Sequence, residues 1–404
     1  MNINEINIFI YSLIDSGIRI WVEDKKLKLF VPEKISLIQG QDTFIRSNKD
    51  NIILVLQQNE VYSKEYDTLI LKSCSEKNIL SFAQARMWFI DKYENGSNIY
   101  NIPMIFKLKN TTDIDKLNSS IISVINKHEI LRTIIKEDNL GDAYQIISEK
   151  HFTTEKLSIN KSEINIELKR QTDRVFNLNK DFPIRVCFYE VREETYLSIV
   201  VHHIAFDGWS VDIFLRELEA FYLDSPLPEM KIQYKDFSLW QRHYLSGDNL
   251  NNELSFWKNE LLDYKPLNLI TDNLRPKEIT YKGANYDFII SKEVSVSLRD
   301  IAKSLKVSLY SVVLSAYYLM LQIYSNQEDI VVGTPAAGRN YAQIDNIIGF
   351  FVNSLVLRCN IKSKSTLADF IQEVSKISIK CQLHQDLPFE KLVEELKEEK
   401  DISR

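Results

Sequence analysis

Glycine and proline are scarce, with 10 and 9 residues among 404. Each falls below half of the average usage of about 7% and about 5%. That excludes a collagen-like fibre and flexible Gly/Ser linkers, and it leaves the turns to Asn, Asp and Ser. Cysteine occurs four times (Cys74, Cys187, Cys359, Cys381), far apart and without a CxxC pair. A disulfide framework and a thiolate metal site are therefore not expected, and reduced, partly buried thiols of a cytoplasmic protein are. No run approaches the roughly 20 apolar residues of a membrane span. No Lys or Arg precedes Arg19, so the charged start of a signal peptide is missing too. A surplus of positive charge is also absent: 50 Lys+Arg against 56 Asp+Glu leave a net charge of −6, which argues against nucleic acid as a partner. What remains is a folded chain, 45% hydrophobic and 26% charged, long enough for two or three domains at roughly 150 residues each.

The first sixty residues read as a small α/β domain. Ile3, Ile6, Ile10, Leu13 and Ile14 follow helical spacing, with Gly17 placed as a C-cap. The period then changes to two across residues 18–22 and 27–31, which predicts a hairpin. Pro32 suits the first turn of a following helix carrying Ile35 and Ile38, and an apolar segment at 52–56 closes the unit. A polar stretch, 61–77, reads as a linker. Beyond it, strand-like runs at 102–108, 184–189, 196–201, 329–333 and 350–357 alternate with helical patterns at 117–127, 211–222, 309–324 and 367–382. The expected organisation is a domain at 1–60, a first lobe at 78–250 and a second lobe at 251–404.

Several catalytic signatures fail. Residues 333–338 have phosphate-loop spacing, but Arg339-Asn340 stands where Lys-Ser/Thr would contact phosphate and Mg²⁺. GxSxG, HExxH and GxGxxG are absent. One dense constellation stands out: His202-His203-Ile204-Ala205-Phe206-Asp207-Gly208. An apolar strand enters it and an amphipathic helix leaves it, so two of the six histidines lie at a strand end, where α/β folds place ligand sites. Imidazole titrates near pH 6.5 and accepts a proton at neutral pH. Asp207 suits orienting a histidine or pairing a buried cation, and Gly208 permits a tight turn or a close ligand approach.

This segment resembles the HHxxxDG signature of the condensation domains of nonribosomal peptide synthetases. Five further segments, in family order, are similar to that family's motifs: Ser81-Phe-Ala-Gln-Ala-Arg-Met-Trp88, His128-Glu-Ile-Leu-Arg-Thr133, Tyr234-Lys-Asp-Phe-Ser-Leu-Trp240, Ile348-Gly-Phe-Phe-Val-Asn-Ser354 and His384-Gln-Asp-Leu-Pro-Phe-Glu390. The N-terminal unit resembles the small docking domains at the start of some synthetase subunits, whose hairpin captures the C-terminal tail of an upstream subunit. Here Arg19, Lys25, Lys26 and Lys28 are the residues expected to select an acidic tail. Asp401-Ile-Ser-Arg404 resembles the start of one more family motif, which implies an incomplete second lobe.

The resemblance implies a two-lobed, chloramphenicol-acetyltransferase-like α/β fold with the active site between the lobes. It also implies amide formation between two carrier-bound thioesters. His203 would face the reaction centre as base or positioning group, and His202 would shape the loop. Asp207 would pair with an arginine, for which Arg132 is the matching position. The Gly208 amide would lie near the thioester oxygen, and Asn353 would approach from the second lobe. No metal or cofactor is implied for this chain. The 4′-phosphopantetheine arms belong to partner carrier domains, and an adenylation domain is expected downstream. The alternatives are an ester-forming or acyl-CoA-using acyltransferase of the same fold, and a docking fragment without catalysis.

Overall fold

The computed structural model describes all residues except 1–2, 34, 67, 74–76, 95, 274–282, 362–365 and 397–404. Cys74 and the motif start at 401–404 lie outside the described residues. The chain forms two compact units, residues 1–246 with 339–351, and residues 247–338 with 352–404.

The first unit opens with helix α1 (Ile3–Asp15), the strands β1 (Arg19–Glu23) and β2 (Lys26–Phe30), and helices α2 (Gln39–Ser47) and α3 (Lys49–Gln58). Gly17 adopts φ +78° after α1, as a C-cap requires. The hairpin turn uses Asp24 and Lys25, both at positive φ, which is the twist-matched geometry of a two-residue turn. With glycine scarce, Asp, Asn and even Lys take left-handed positions: Lys306 and Asn326 cap two later helices this way. The helix expected from Pro32 does not form. α2 starts at Gln39, because Ile35 and Ile38 stay exposed and offer no apolar stripe to bury. The polar stretch 61–77 is not a free tether along its length. Leu69, Ile70 and Leu71 are buried, the Leu71 amide donates to the Tyr11 hydroxyl (2.8 Å), and the Ser73 amide donates to Asp236 (2.7 Å).

The rest of the unit comprises β3 (Asn78–Ile79), α4 (Phe82–Tyr93), β4 (Asn101–Leu108), α5 (Ile114–Lys127), β5 (Thr133–Glu137), β6 (Ala143–Ile147), β7 (Glu155–Ser158), α6 (Ile164–Asp173), β8 (Ile184–Val191), β9 (Glu194–His202), α7 (Gly208–Tyr222) and α8 (Tyr234–Tyr244). The principal sheet runs β4-β9-β8-β7, antiparallel except for the parallel β7/β8 pair. β9 is an inner strand buried on both faces from Leu197 to His202, hence its continuous apolar run. One buried cluster joins Ile6, Ile10 and Val55 of the N-terminal segment to Ile121, Ile199, Phe214 and Phe351, so residues 1–60 share the core of this unit.

The second unit holds α9 (Gly247–Glu260), α10 (Lys292–Leu305), α11 (Leu309–Ser325), β10 (Asp329–Ala336), β11 (Asn353–Asn360), α12 (Leu367–Gln382) and α13 (Phe389–Leu396). β10 and β11 pair antiparallel, Asp329 opposite Asn360, over a core of Trp257, Tyr318, Ile330, Leu357 and Val374. The strand expected from residue 350 starts at Asn353. The backbone groups of Phe350 and Phe351 are taken by the Tyr234 hydroxyl and the Asp207 carboxylate instead of a ladder.

Candidate active site

His202 is the last residue of β9, opposite Asn101, the first residue of β4. The chain then makes one short turn, and Asp207 caps α7 by accepting from the Ser210 amide (2.8 Å). α7 holds its place because Ile213, Phe214 and Leu218 fall on one buried face.

The two histidines have different surroundings. The His202 ring is fully buried, edge-on to Phe176 (5.7 Å between centroids) and near Tyr100 (6.3 Å). Its Nδ1 accepts from the Ile204 amide (3.1 Å), which leaves the proton on Nε2. Burial, then repulsion from His203 and Arg185, lowers its pKa from 6.5 to about 3, so it is neutral. His203 is only partly buried. Its amide donates to Tyr100 O (2.8 Å), and its ring packs edge-on against Phe350 at 4.7 Å. Among the described residues its Nδ1 is buried without a hydrogen-bond partner.

A histidine whose pKa falls on folding binds fewer protons in the native state than in the unfolded one. Stability is then complete above about pH 6.5 and declines as the pH drops toward 3. At about 1.4 kcal/mol per unit of difference, His202 alone should account for about 2 kcal/mol of the loss between pH 7 and pH 5. Urea unfolding of His202→Asn, which keeps an acceptor for the Ile204 amide, should show an acid limb shallower by that amount. An unchanged limb would rule the assignment out.

Asp207 is fully buried, and its hydrogen bonds go to groups other than the histidines. Its Oδ1 accepts from the Ser210 hydroxyl (2.7 Å) and from Arg339 Nη2 (3.2 Å), and its Oδ2 accepts from the Phe351 amide (3.1 Å). Arg339 Nη1 also donates to Ile344 O (2.8 Å) and Ile347 O (2.7 Å), and its guanidinium lies over the Phe351 ring (4.1 Å). This corrects the expected pairing. The partner of Asp207 is Arg339, whereas Arg132 donates to Ser148 O (3.1 Å) and Asn126 O (3.4 Å) at the mouth of β5. The sequence signal for Arg339 was present in Gly338-Arg339, the position that spoiled the phosphate-loop reading.

Residues 344–351 are thus clamped from several elements. Ser210 Oγ accepts from the Gly349 amide (3.1 Å), and the Tyr234 hydroxyl donates to Phe350 O (2.6 Å) while sharing a hydrogen bond with Ser81 Oγ (2.8 Å). Ser81 in turn caps α4 through the Gln84 amide (3.1 Å). Three sequence motifs therefore meet as scaffold around Phe350. Tyr234 and Phe350 lie in motifs but carried no assigned role, and Ser210, expected from the sequence to cap the helix, instead donates to Asp207, which is the cap; an apolar or hydroxyl residue announces no tertiary partner.

Gly208 is the first residue of α7 and is exposed; a Cβ there would meet nothing within 4 Å. Its φ is not positive, so the fold itself does not demand glycine. Asn353, in the second unit, spends its amide on the loop before α13. Nδ2 donates to Gln385 O (2.8 Å) and Leu387 O (2.6 Å), and Oδ1 accepts from the Phe389 amide (3.0 Å). These bonds tie the motif at 348–354 to the motif at 384–390.

Of the four expected docking cations, Arg19 donates to Tyr66 O (3.0 Å), and Lys28 pairs with Glu23 across the hairpin (3.4 Å). Lys25 and Lys26 are exposed at the turn. Cys187, Cys359 and Cys381 are free and buried, with burial raising their thiols to about 11, about 12 and about 11. Among the described residues no group of three His, Cys, Asp or Glu is placed to hold a metal ion, and no single helix is long and apolar enough to cross a membrane.

The family model described as "Condensation domain" matches residues 75–404. Over 332 residues, 80% of the chain, it is 37% identical to N-(5-amino-5-carboxypentanoyl)-L-cysteinyl-D-valine synthase of Amycolatopsis lactamdurans. It is 33% identical over 386 residues, 94% of the chain, to bacitracin synthase 3 of Bacillus licheniformis. The chain spans 9% and 6% of those proteins. Among solved structures, a four-domain nonribosomal peptide synthetase bound to AMP and glycine is similar at TM-score 0.72 and 25% identity, over 81% of this chain and 26% of that one. The first condensation domain of the CDA synthetase shares the fold at TM-score 0.64 and 18% identity, over 80% of each chain.

Proposed function

The chain belongs to the condensation-domain family of nonribosomal peptide synthetases, whose acyltransferase reaction makes amide bonds; from that premise we propose that it joins an upstream carrier-bound aminoacyl or peptidyl thioester to an amine on a downstream carrier. The observation that carries the reading is the contrast within the histidine pair. His202 is sealed and neutral, while His203, the residue just after β9, is only partly buried.

In the reaction, the amine nitrogen attacks the thioester carbonyl carbon, the C–S bond breaks, and an amine proton ends on the departing phosphopantetheine thiol. His203 is assigned to orient the amine and carry that proton. The Gly208 amide, at the open N-terminus of α7, is assigned to the carbonyl oxygen. The 4′-phosphopantetheine comes with the carriers. A thioester is already activated, so alignment, worth about 7–11 kcal/mol, outweighs proton management, worth about 10²–10⁴-fold. The opening motif at 81–88 and the 348–354 motif support an L-configured donor.

His203→Ala should lower single-turnover amide formation between loaded carriers by about 100-fold, with folding and carrier binding unchanged. Turnover near the wild-type level with a slowly reacting amine would overturn the role of His203. A wild-type chain that binds both carriers and makes no amide would overturn the function.

The N-terminal hairpin is proposed to receive the acidic C-terminal tail of an upstream subunit by strand addition. The outer edge of β1 is engaged, Val22 donating to Val61 O (3.0 Å) and Ile20 to the Tyr66 hydroxyl (3.2 Å). β2, by contrast, has only β1 as a strand partner among the described residues. Lys25→Glu with Lys26→Glu should weaken binding of an acidic tail peptide to the full chain several-fold at low salt. The difference should fade where screening shortens to about 8 Å, near 0.15 M. Equal affinity for the variant at low salt would remove the electrostatic part, and no tail binding at all would remove the docking role.

A further inference from the structure

His128 ends α5 with its ring fully buried. Its Nδ1 faces the Ile348 amide at 3.3 Å, and its Nε2 faces Glu217 Oε2 at 2.8 Å. A backbone amide only donates, so Nδ1 is the acceptor and the proton resides on Nε2, donated to the carboxylate. Glu217 projects from α7 at a buried position between Phe214 and Leu218, where a charge is costly without partners. Its second oxygen takes the Lys127 ammonium at 2.6 Å. Burial lowers the His128 pKa against the pull of Glu217, with Lys127 and Arg339 acting in the same direction as burial. The carboxylate thus serves a neutral imidazole of a single tautomer and a lysine.

This pair reaches the reaction centre through the backbone. Ile348 lies two residues before Phe350, whose ring packs on His203 at 4.7 Å and whose carbonyl accepts from Tyr234. α7 therefore grips residues 348–351 at two levels. Asp207 and Ser210 hold Phe351 and Gly349 at its N-terminus, and Glu217, two turns along, holds Ile348 through His128.

We propose that His128, oriented by Glu217, is a positioning residue that sets Phe350 against His203 by accepting the Ile348 amide hydrogen bond. The role in turnover rests on the amide-forming reading above, but the geometry does not. An Asn side chain offers its oxygen near the position of Nδ1, and a Gln side chain offers its NH₂ near the position of Nε2. His128→Asn keeps the bond to Ile348, whereas His128→Gln keeps only the bond to Glu217.

The expected result in single-turnover assays is a kcat at least tenfold lower for His128→Gln, with KM for the loaded carriers within twofold, and recovery to within threefold of wild type in His128→Asn. Wild-type kcat in His128→Gln, or equal losses in both variants that track their melting temperatures, would overturn the proposal. A second measurement needs no turnover. In the chain labelled with ¹⁵N-histidine, the ring signal lost in His128→Asn should show the neutral Nε2–H tautomer at pH 6, and the His203 ring signals should move in His128→Gln but hold in His128→Asn. An Nδ1–H or doubly protonated His128, or His203 signals that ignore His128→Gln, would overturn the placement even if the wild-type chain made no amide. A wild type that makes no amide while these signals behave as expected would instead overturn the amide-forming reading and leave the placement standing.

Discussion

Gly349→Ala should lower the melting temperature and abolish most activity, although the change adds a single methyl group. A Cβ on Gly349 would lie 2.1 Å from Tyr234 Cδ2, 2.5 Å from Cε2 and 2.7 Å from Phe351 Cε2. The φ of Gly349 is not in the left-handed region, so the conflict is one of space. The ring cannot yield easily, because Tyr234 is fully buried with its hydroxyl held between Ser81 Oγ and Phe350 O. Phe351 is pinned by Arg339 on its face and Asp207 at its amide. Overpacking costs typically about 1–3 kcal/mol, and a pinned neighbour places this site at or above the upper end. At about 2–4 °C per kcal/mol for a unit of this size, the expected fall is on the order of 10 °C. Tyr234→Leu should partly restore stability in the double variant by removing the ring edge. Wild-type melting of Gly349→Ala would refute this packing.

Asp207→Ala should cost about 3–5 kcal/mol, the usual price of leaving a buried charge without its partner. Soluble yield and activity should fall together. The carboxylate accepts from the Ser210 amide and hydroxyl, Arg339 and the Phe351 amide, so its loss frees the segment that carries Phe350. Arg339→Gln should be similarly damaging. The Asp207→Ala/Arg339→Gln double variant should lose less than the sum of the two singles, since neither charge is then stranded. Differential scanning fluorimetry and urea melts of the four proteins read this directly. A fully stable but inactive Asp207→Ala would show that the carboxylate acts in the chemistry itself.

Much of this protein was legible in one dimension. Helical spacing located α1, α5, α11 and α12, the period-two runs located the hairpin, and apolar runs located β4, β8 and β9, because burial of an element on one face or on both must show in its sequence. Scarce glycine pointed the turns to Asn, Asp and Ser; among the described residues Asp and Asn do take left-handed positions, joined by Lys, Glu and Arg and not by Ser. The His202–Gly208 segment was recognisable because strand, histidine pair, cap and helix are contiguous.

What only the tertiary structure decided depends on long-range partners, for which local sequence carries no address. Arg132 and Arg339 are equally plausible cations on paper. The fold places Arg339 against Asp207 across 132 residues and turns Arg132 to Ser148 O. Glu217 was one more helix charge until burial paired it with His128 and Lys127. The strand at 350–357 lost its first residues because Tyr234 and Asp207 compete for the same backbone groups. The helix after Pro32 failed for the opposite reason, since its apolar residues found nothing to bury against. Periodicity announces a buried face; which buried polar group answers which is settled only when the chain has folded and each desolvated donor must meet an acceptor.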